Sequence, residues 1–240
     1  MLNRRFLIVV FVALALCLSA KSFADVPSRS ANPQELAVIE RVVHAIDATF
    51  DKLADSNWQQ RSAADHEQFD VALDPDHPLN FALQCDREFG IRPGSTLFNT
   101  RVKPIEDALL QTSDVAKMAA LGKQIDGTTS FSIEAEANNP SIPAEEAELA
   151  HDLGAKGATF SFCQSGEQLD CYVVFGDAGR WKPYKTGGRD FVFAHPKRMP
   201  AVENLFVRFH AKNPAGAAAD RIHELIRTTN WTPIQESLTK

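Results

Sequence analysis

The chain is poor in sulfur and in the larger polar aromatics, with four cysteines, three methionines, three tryptophans and two tyrosines in 240 residues. Four cysteines are too few to staple a chain of this length, so its fold has to rest on a buried apolar core. Long apolar runs are missing as well. The strongest, Phe6 to Leu16, has eleven residues, against the roughly 20 that a ~30 Å hydrocarbon core requires. There is no G-x-S-x-G elbow, no Walker-type phosphate loop, no G-x-G-x-x-G and no H-E-x-x-H zinc helix, which removes the familiar sequence signatures of serine hydrolases, nucleotide binders and zinc proteases. Basic charge is in deficit, 25 Lys and Arg against 31 Asp and Glu, and the net charge of −6 disfavours nucleic-acid phosphates and anionic lipid surfaces.

What is present is the composition of a globular protein, 44% apolar and 23% charged. The N-terminus has the three parts of an export signal: Asn3-Arg4-Arg5, the run Phe6 to Leu16, and small residues at Ser22 and Ala24. We read residues 1–24 as a signal peptide cleaved after Ala24, leaving no stable membrane span. Cys17 follows Leu16, a side chain too large for the position before a lipid-attachment cysteine. The leader holds Arg4, Arg5 and Lys21 and no acid, so the mature chain carries 22 basic and 31 acidic residues, a net of −9.

Three cysteines then remain. Cys163 and Cys171 flank a polar stretch between two strand-like runs, Ala158–Phe162 and Tyr172–Phe175, and in an oxidising compartment such a pair is expected to close a disulfide across a hairpin. Cys85 is left as a buried apolar thiol, because no Cys-His signature surrounds it.

Along the chain, Asn32, Pro33 and Glu35 form a capping-box start for a helix with an apolar stripe at Leu36, Ile39, Val43, Ile46, Phe50 and Leu53. Residues 56–78 read as polar and irregular. Leu79–Phe89 reads as a helix closed by Gly90, and Pro104–Gln111 and Asp114–Gln124 as two more, the second capped by Ser113. After Gly127, Thr129–Ala137 alternates like a half-buried strand, with Ser132, Glu134 and Glu136 on its polar side. A helix from Ser141 or Pro143 to Ala150, the cysteine hairpin, a loop Gly176–Gly188, strands Asp190–Ala194 and Leu205–His210, a helix Ala217–Thr228 and a last strand Trp231–Ile234 complete the reading. The expected fold class is α+β, a mainly helical region 25–127 packed on a mostly antiparallel sheet in 128–240 as one compact domain. The strand order also admits a ferredoxin-like arrangement with an inserted strand.

Two stretches carry candidate chemistry. Between Arg180 and Arg198 six basic residues face a single acid, and the loop interleaves them with aromatics: Arg180, Trp181, Lys182, Tyr184, Lys185 and Arg189. Cations and aromatics in alternation suit an interface, since Trp, Tyr and Arg dominate binding energetics. The stretch His66, Glu67, Asp70, Asp74, Asp76, His77 offers oxygen and nitrogen donors for a divalent cation, with Asp70, Asp74, Asp76 and His77 the candidate ligands, although the spacing fits no standard loop and the aspartates suit turns equally well. Among the seven histidines, His195 and His210 end predicted strands and His151 and His223 lie on predicted helices, so that a catalytic pair could converge across the sheet, although nothing in the spacing demands it. Together these features point to an exported, non-catalytic protein, periplasmic or secreted, that needs no cofactor and binds another macromolecule, in the manner of an inhibitor or immunity factor for a secreted or envelope enzyme. The alternative is an envelope hydrolase, metal-dependent or not, built on the His66–His77 stretch.

Overall fold

A computed structural model of the chain describes residues 28–62, 65–66, 70–72, 83–138, 141–143, 152–183, 190–194 and 201–239. The leader therefore lies outside the described residues. A short strand, β1 (Ser28–Ser30), leads into helix α1 (Pro33–Phe50), which starts where the sequence places it. Asn32 Oδ1 accepts hydrogen bonds from the Gln34 and Glu35 amides at 3.0 Å each, and Glu35 returns the bond by accepting from the Asn32 amide at 2.8 Å. The Arg29 guanidinium donates to both Glu35 oxygens at 2.7 Å, and it holds that carboxyl below the usual range. The stripe of α1 buries Ile39, Val42, Ile46 and Phe50 completely.

The stretch expected to be irregular contains three short strands, β2 (Trp58–Gln60), β3 (Asp65–His66) and β4 (Asp70–Ala72), the last paired with β1. The expected helix over Leu79–Phe89 is instead strand β5 (Leu83–Ile91). Its inward side chains follow a period of two, Cys85, Arg87, Phe89 and Ile91. Arg87 hides this period from a sequence reader. Its buried guanidinium is paired with Asp47 and with Asp51 at 3.2 Å, both on or beside α1, so a charge occupies a core position. Gly90 caps no helix: it lies within the strand, where the Arg61 side chain passes over it.

A π-helical turn (Phe98–Val102) runs into α2 (Lys103–Gln111), and α3 (Val115–Thr129) follows. The cap of α3 is Asp114 rather than Ser113, its carboxylate accepting from the Ala116 and Lys117 amides at 2.9 and 3.1 Å. Strand β6 (Ser130–Ala137) alternates as expected. Ser141–Pro143 forms strand β7 rather than the start of a helix, because Ile142 is fully buried opposite Phe191; residues 144–151 lie outside the described residues. The cysteine hairpin is β8 (Phe160–Ser165) and β9 (Leu169–Gly176), with Cys163 and Cys171 disulfide-bonded as directly opposed partners, Cα atoms 4.0 Å apart. Within the expected loop 176–188, a 3-10 turn (Ala178–Arg180) and strand β10 (Trp181–Pro183) appear. Then come β11 (Asp190–Phe193), β12 (Asn204–Ala211), α4 (Ala217–Thr228) and α5 (Thr232–Ser237). The last replaces the expected strand at Trp231, since Pro233 suits a first helical turn and lacks the N–H a strand would need.

The main sheet runs β2-β5-β6-β12-β9-β8 with every neighbouring pair antiparallel, and β3 also pairs with β5. A second sheet, β10-β11-β7, is antiparallel too. The architecture is thus α+β, with α1, α2 and α3 in the first half of the chain. A ferredoxin-like order would put β6 between β12 and β9. Here β12 lies between β6 and β9, so that arrangement is not adopted.

One face of the main sheet carries the principal core. There α1, α4 and α5 cover Phe131, Ile133, Cys171, Val173, Phe175, Leu205, Val207 and Phe209, and Trp231 sits fully buried against Phe175 and Phe209 with ring centroids 6.2 and 6.0 Å away. Its indole N–H donates to the Ile226 carbonyl at 3.1 Å. The small sheet covers part of the other face with a second aromatic cluster: Ile142, Phe162, Tyr172, Val174, Trp181, Phe193 and Phe206. Among the described residues no helix is long and apolar enough to cross a membrane.

Candidate functional site

Two regions have side chains that the fold itself does not use up. The first is the hairpin of α2 and α3, inserted between β5 and β6. Helices in proteins owe most of their stability to burying an apolar face. Yet no described residue of α2 or α3 is buried, and three large apolar side chains at the joint stand in solvent, Leu110 at 84%, Val115 at 79% and Met118 at 42% exposure. Val115 and Met118 lie one turn apart on α3, and Leu110 is the penultimate residue of α2. The flanking charges are mixed: Asp107, one turn before Leu110, pairs with Lys103 at 3.4 Å, Asp114 caps α3, and Lys117 adjoins Met118. An exposed apolar tip of this kind is a candidate contact surface.

The second region is the polar face of the main sheet, where the outward residues of β6 stand in register with both neighbours. Asp86, Glu134, Arg208 and Tyr172 form one row across β5, β6, β12 and β9, and Ser132, His210 and Asp170 form the next. Asp170 Oδ1 accepts from Arg208 Nε at 2.9 Å, forms an ion pair with its Nη2 at 2.8 Å, and lies 3.0 Å from His210 Nδ1. Arg208 Nη1 also approaches Glu134 Oε2 at 3.8 Å. Ser132, Glu134, Arg208 and His210 line a shallow depression of about 170 Å³. Burial, helped by the neighbouring Glu136 and Asp86 carboxylates, raises Glu134 to about 7, so this face holds a carboxyl that changes charge near neutrality. Burial likewise pushes the Tyr172 hydroxyl up to about 12.

The residues singled out from sequence are distributed differently. In the basic loop, Trp181 is 3% exposed, wedged between Phe160 and Phe193, with its indole N–H donating to the Phe175 carbonyl at 3.3 Å. Arg180 lies over the Phe193 ring at 4.2 Å and donates to the buried Glu203 carboxylate at 2.7 Å. Both side chains are engaged in holding the small sheet to the large one. Lys182 is exposed. Tyr184, Lys185 and Arg189 lie outside the described residues. Of the metal candidates, Asp70 is placed only as backbone in β4, and Asp74, Asp76 and His77 lie outside the described residues, as does His195. Cys85 is 1% exposed and its thiol is pushed up to about 12 by burial, with Asp47 adding to the effect, so it rests protonated.

The apolar tip was legible in principle, since Val115 and Met118 share a helix face. Its signal was diluted because nothing in one sequence says which apolar helix face finds a core. The polar row on β6 was visible as an alternation, but its partners on β5, β9 and β12 come from segments up to 124 residues apart that only the sheet brings together. No protein-family model matches this chain, and neither a curated protein nor a solved structure does.

Proposed function

We propose that this is an exported, non-catalytic protein, periplasmic or secreted, that binds another protein, in the way an inhibitor or immunity factor occupies a secreted or envelope enzyme. The observation that carries the reading is the α2–α3 joint: two helices with no fully buried side chain among their described residues, presenting Leu110, Val115 and Met118 to solvent. The disulfide between Cys163 and Cys171 supports an oxidising compartment. The net charge of −6 favours a protein groove with a basic rim over an anionic lipid surface.

The test uses the mature chain as bait against the envelope fraction of its own cell. Wild type retains one partner at stoichiometric level, and a Leu110→Asp, Met118→Asp double variant loses it while its melting temperature stays within the small range of a surface change. Capture of the same partner by both proteins refutes the hairpin as the contact. A dimer by sedimentation, dissolved by the same variant, replaces the foreign partner with a second copy of this chain. Zinc or calcium retained at one per chain after dialysis of the disulfide-bonded protein, in which Cys163 and Cys171 cannot act as thiolate ligands, turns the reading toward the hydrolase alternative.

A further inference from the structure

The disulfide has a neighbour that a purely structural staple does not require. The donor atoms of Cys163, Cys171 and His223 all lie within 4.8 Å of one another, with Cys171 buried and Cys163 and His223 half-buried. The three arrive from independent elements. The two cysteines are directly opposed on β8 and β9, and the ladder continues on either side of them through Phe162–Tyr172 and Gln164–Asp170. His223 comes from α4, whose rotation about its axis is fixed by buried Ile222, Leu225 and Ile226.

We infer that Cys163, Cys171 and His223 form a two-thiolate, one-imidazole site for a borderline-soft cation such as Zn²⁺, open when the cysteine bond is reduced and closed when it is oxidised. Four-coordinate zinc takes sulfur at about 2.3 Å and imidazole nitrogen at about 2.0–2.1 Å, which puts neighbouring donors roughly 3.5–4 Å apart in a tetrahedron. The three donors lie within 4.8 Å of one another, so once the S–S bond is cut the two sulfurs need only move apart to that spacing. Opposed residues on paired strands keep their Cβ atoms about 4.5–5.5 Å apart through the backbone ladder alone, so the sulfurs stay together after the bond is cut. Two sulfurs and one nitrogen select zinc or cuprous copper over calcium or magnesium. The half-buried edge at Cys163 leaves the fourth position to water.

The chemistry balances with a dithiol as reductant. The dithiol supplies two electrons and two protons to the Cys163–Cys171 bond and becomes a disulfide itself; each new thiol then loses its proton to solvent as the cation binds. Oxidation runs the sequence backwards, with the cation released as the sulfurs rejoin. The site makes cation binding conditional on the redox state of the compartment.

Cobalt(II) serves as the probe, titrated anaerobically into the full mature chain after reduction and removal of the reductant. The expected result is one cobalt per chain with a thiolate charge-transfer band and tetrahedral d–d bands, seen with reduced protein and not with oxidised. A Cys85→Ala variant keeps the spectrum and Cys163→Ser abolishes it. His223→Asn retains the disulfide when oxidised, and when reduced it weakens cobalt binding by more than the roughly 10–100-fold typical of losing an outer-shell partner. Unchanged affinity in His223→Asn overturns the proposal. So does loss of the native near-ultraviolet circular dichroism on reduction, or a folded, reduced chain that takes up no cobalt.

Discussion

Glu134→Gln isolates the electrostatics of the polar sheet face. In the folded chain the carboxyl titrates at about 7, against an ordinary value of 4.5, because it is partly buried and stands beside Glu136 and Asp86. Between those two pH values the folded protein holds a proton that the unfolded chain has released. Stability therefore falls as pH rises through the window, and below about 4.5 the effect is absent, since both states are protonated. At ~1.4 kcal/mol for each pH step the full interval corresponds to roughly 3 kcal/mol, and with the side chain 26% exposed, solvent screening brings the expectation to about 1–2 kcal/mol. Glutamine keeps the shape and cannot ionise. The variant should match wild type near pH 4.5 and exceed it by about 1–2 kcal/mol at pH 8, read from urea unfolding followed by circular dichroism across that range. Parallel stability profiles for the two proteins, or a variant that is weaker at pH 8, would refute the argument that burial, with the neighbouring carboxylates, disfavours the charged form of Glu134 on this face.

Other expectations follow from packing. Trp181→Ala should cost about 3–5 kcal/mol in urea unfolding, as for a buried aromatic, while Lys182→Ala stays within ~0.5 kcal/mol; equal small losses would mean the indole is not a core element. Gly157 has φ of +89°, and a Cβ there would overlap the Thr232 backbone, so Gly157→Ala should lower stability by at least about 2 kcal/mol, with a neutral result excluding that close approach. Cys85 should resist iodoacetamide in the native state at pH 8 and react on denaturation; fast native labelling would contradict its burial and its raised thiol.

Elements whose cause is local were readable in the chain. The capping box at Asn32 and Glu35, the alternation of Ser130–Ala137 and the amphipathic Ala217–Thr228 each depend on neighbours within a turn or two, and each stands where expected. The misreadings share a different cause. Leu83–Ile91 contains an inward arginine that makes sense only beside Asp47 and Asp51, and the Trp231 segment turns helical to seat its indole between Phe175 and Phe209. The basic loop looked like an interface because Trp181 and Arg180 are interface-prone residues, and the fold spends both on joining its two sheets.

By itself, then, the sequence determined the α+β class, the hairpin disulfide, the first and last long helices and the alternating polar side of the central strand, because hydrogen-bond capping and side-chain periodicity act over a few residues. Only the tertiary structure decided the strand order, the row Asp86–Glu134–Arg208–Tyr172, the approach of His223 to the two sulfurs, and which helices were left facing water. These are properties of segments distant along the chain, and pairing between distant strands is set by the register and burial of the whole sheet rather than by any local preference.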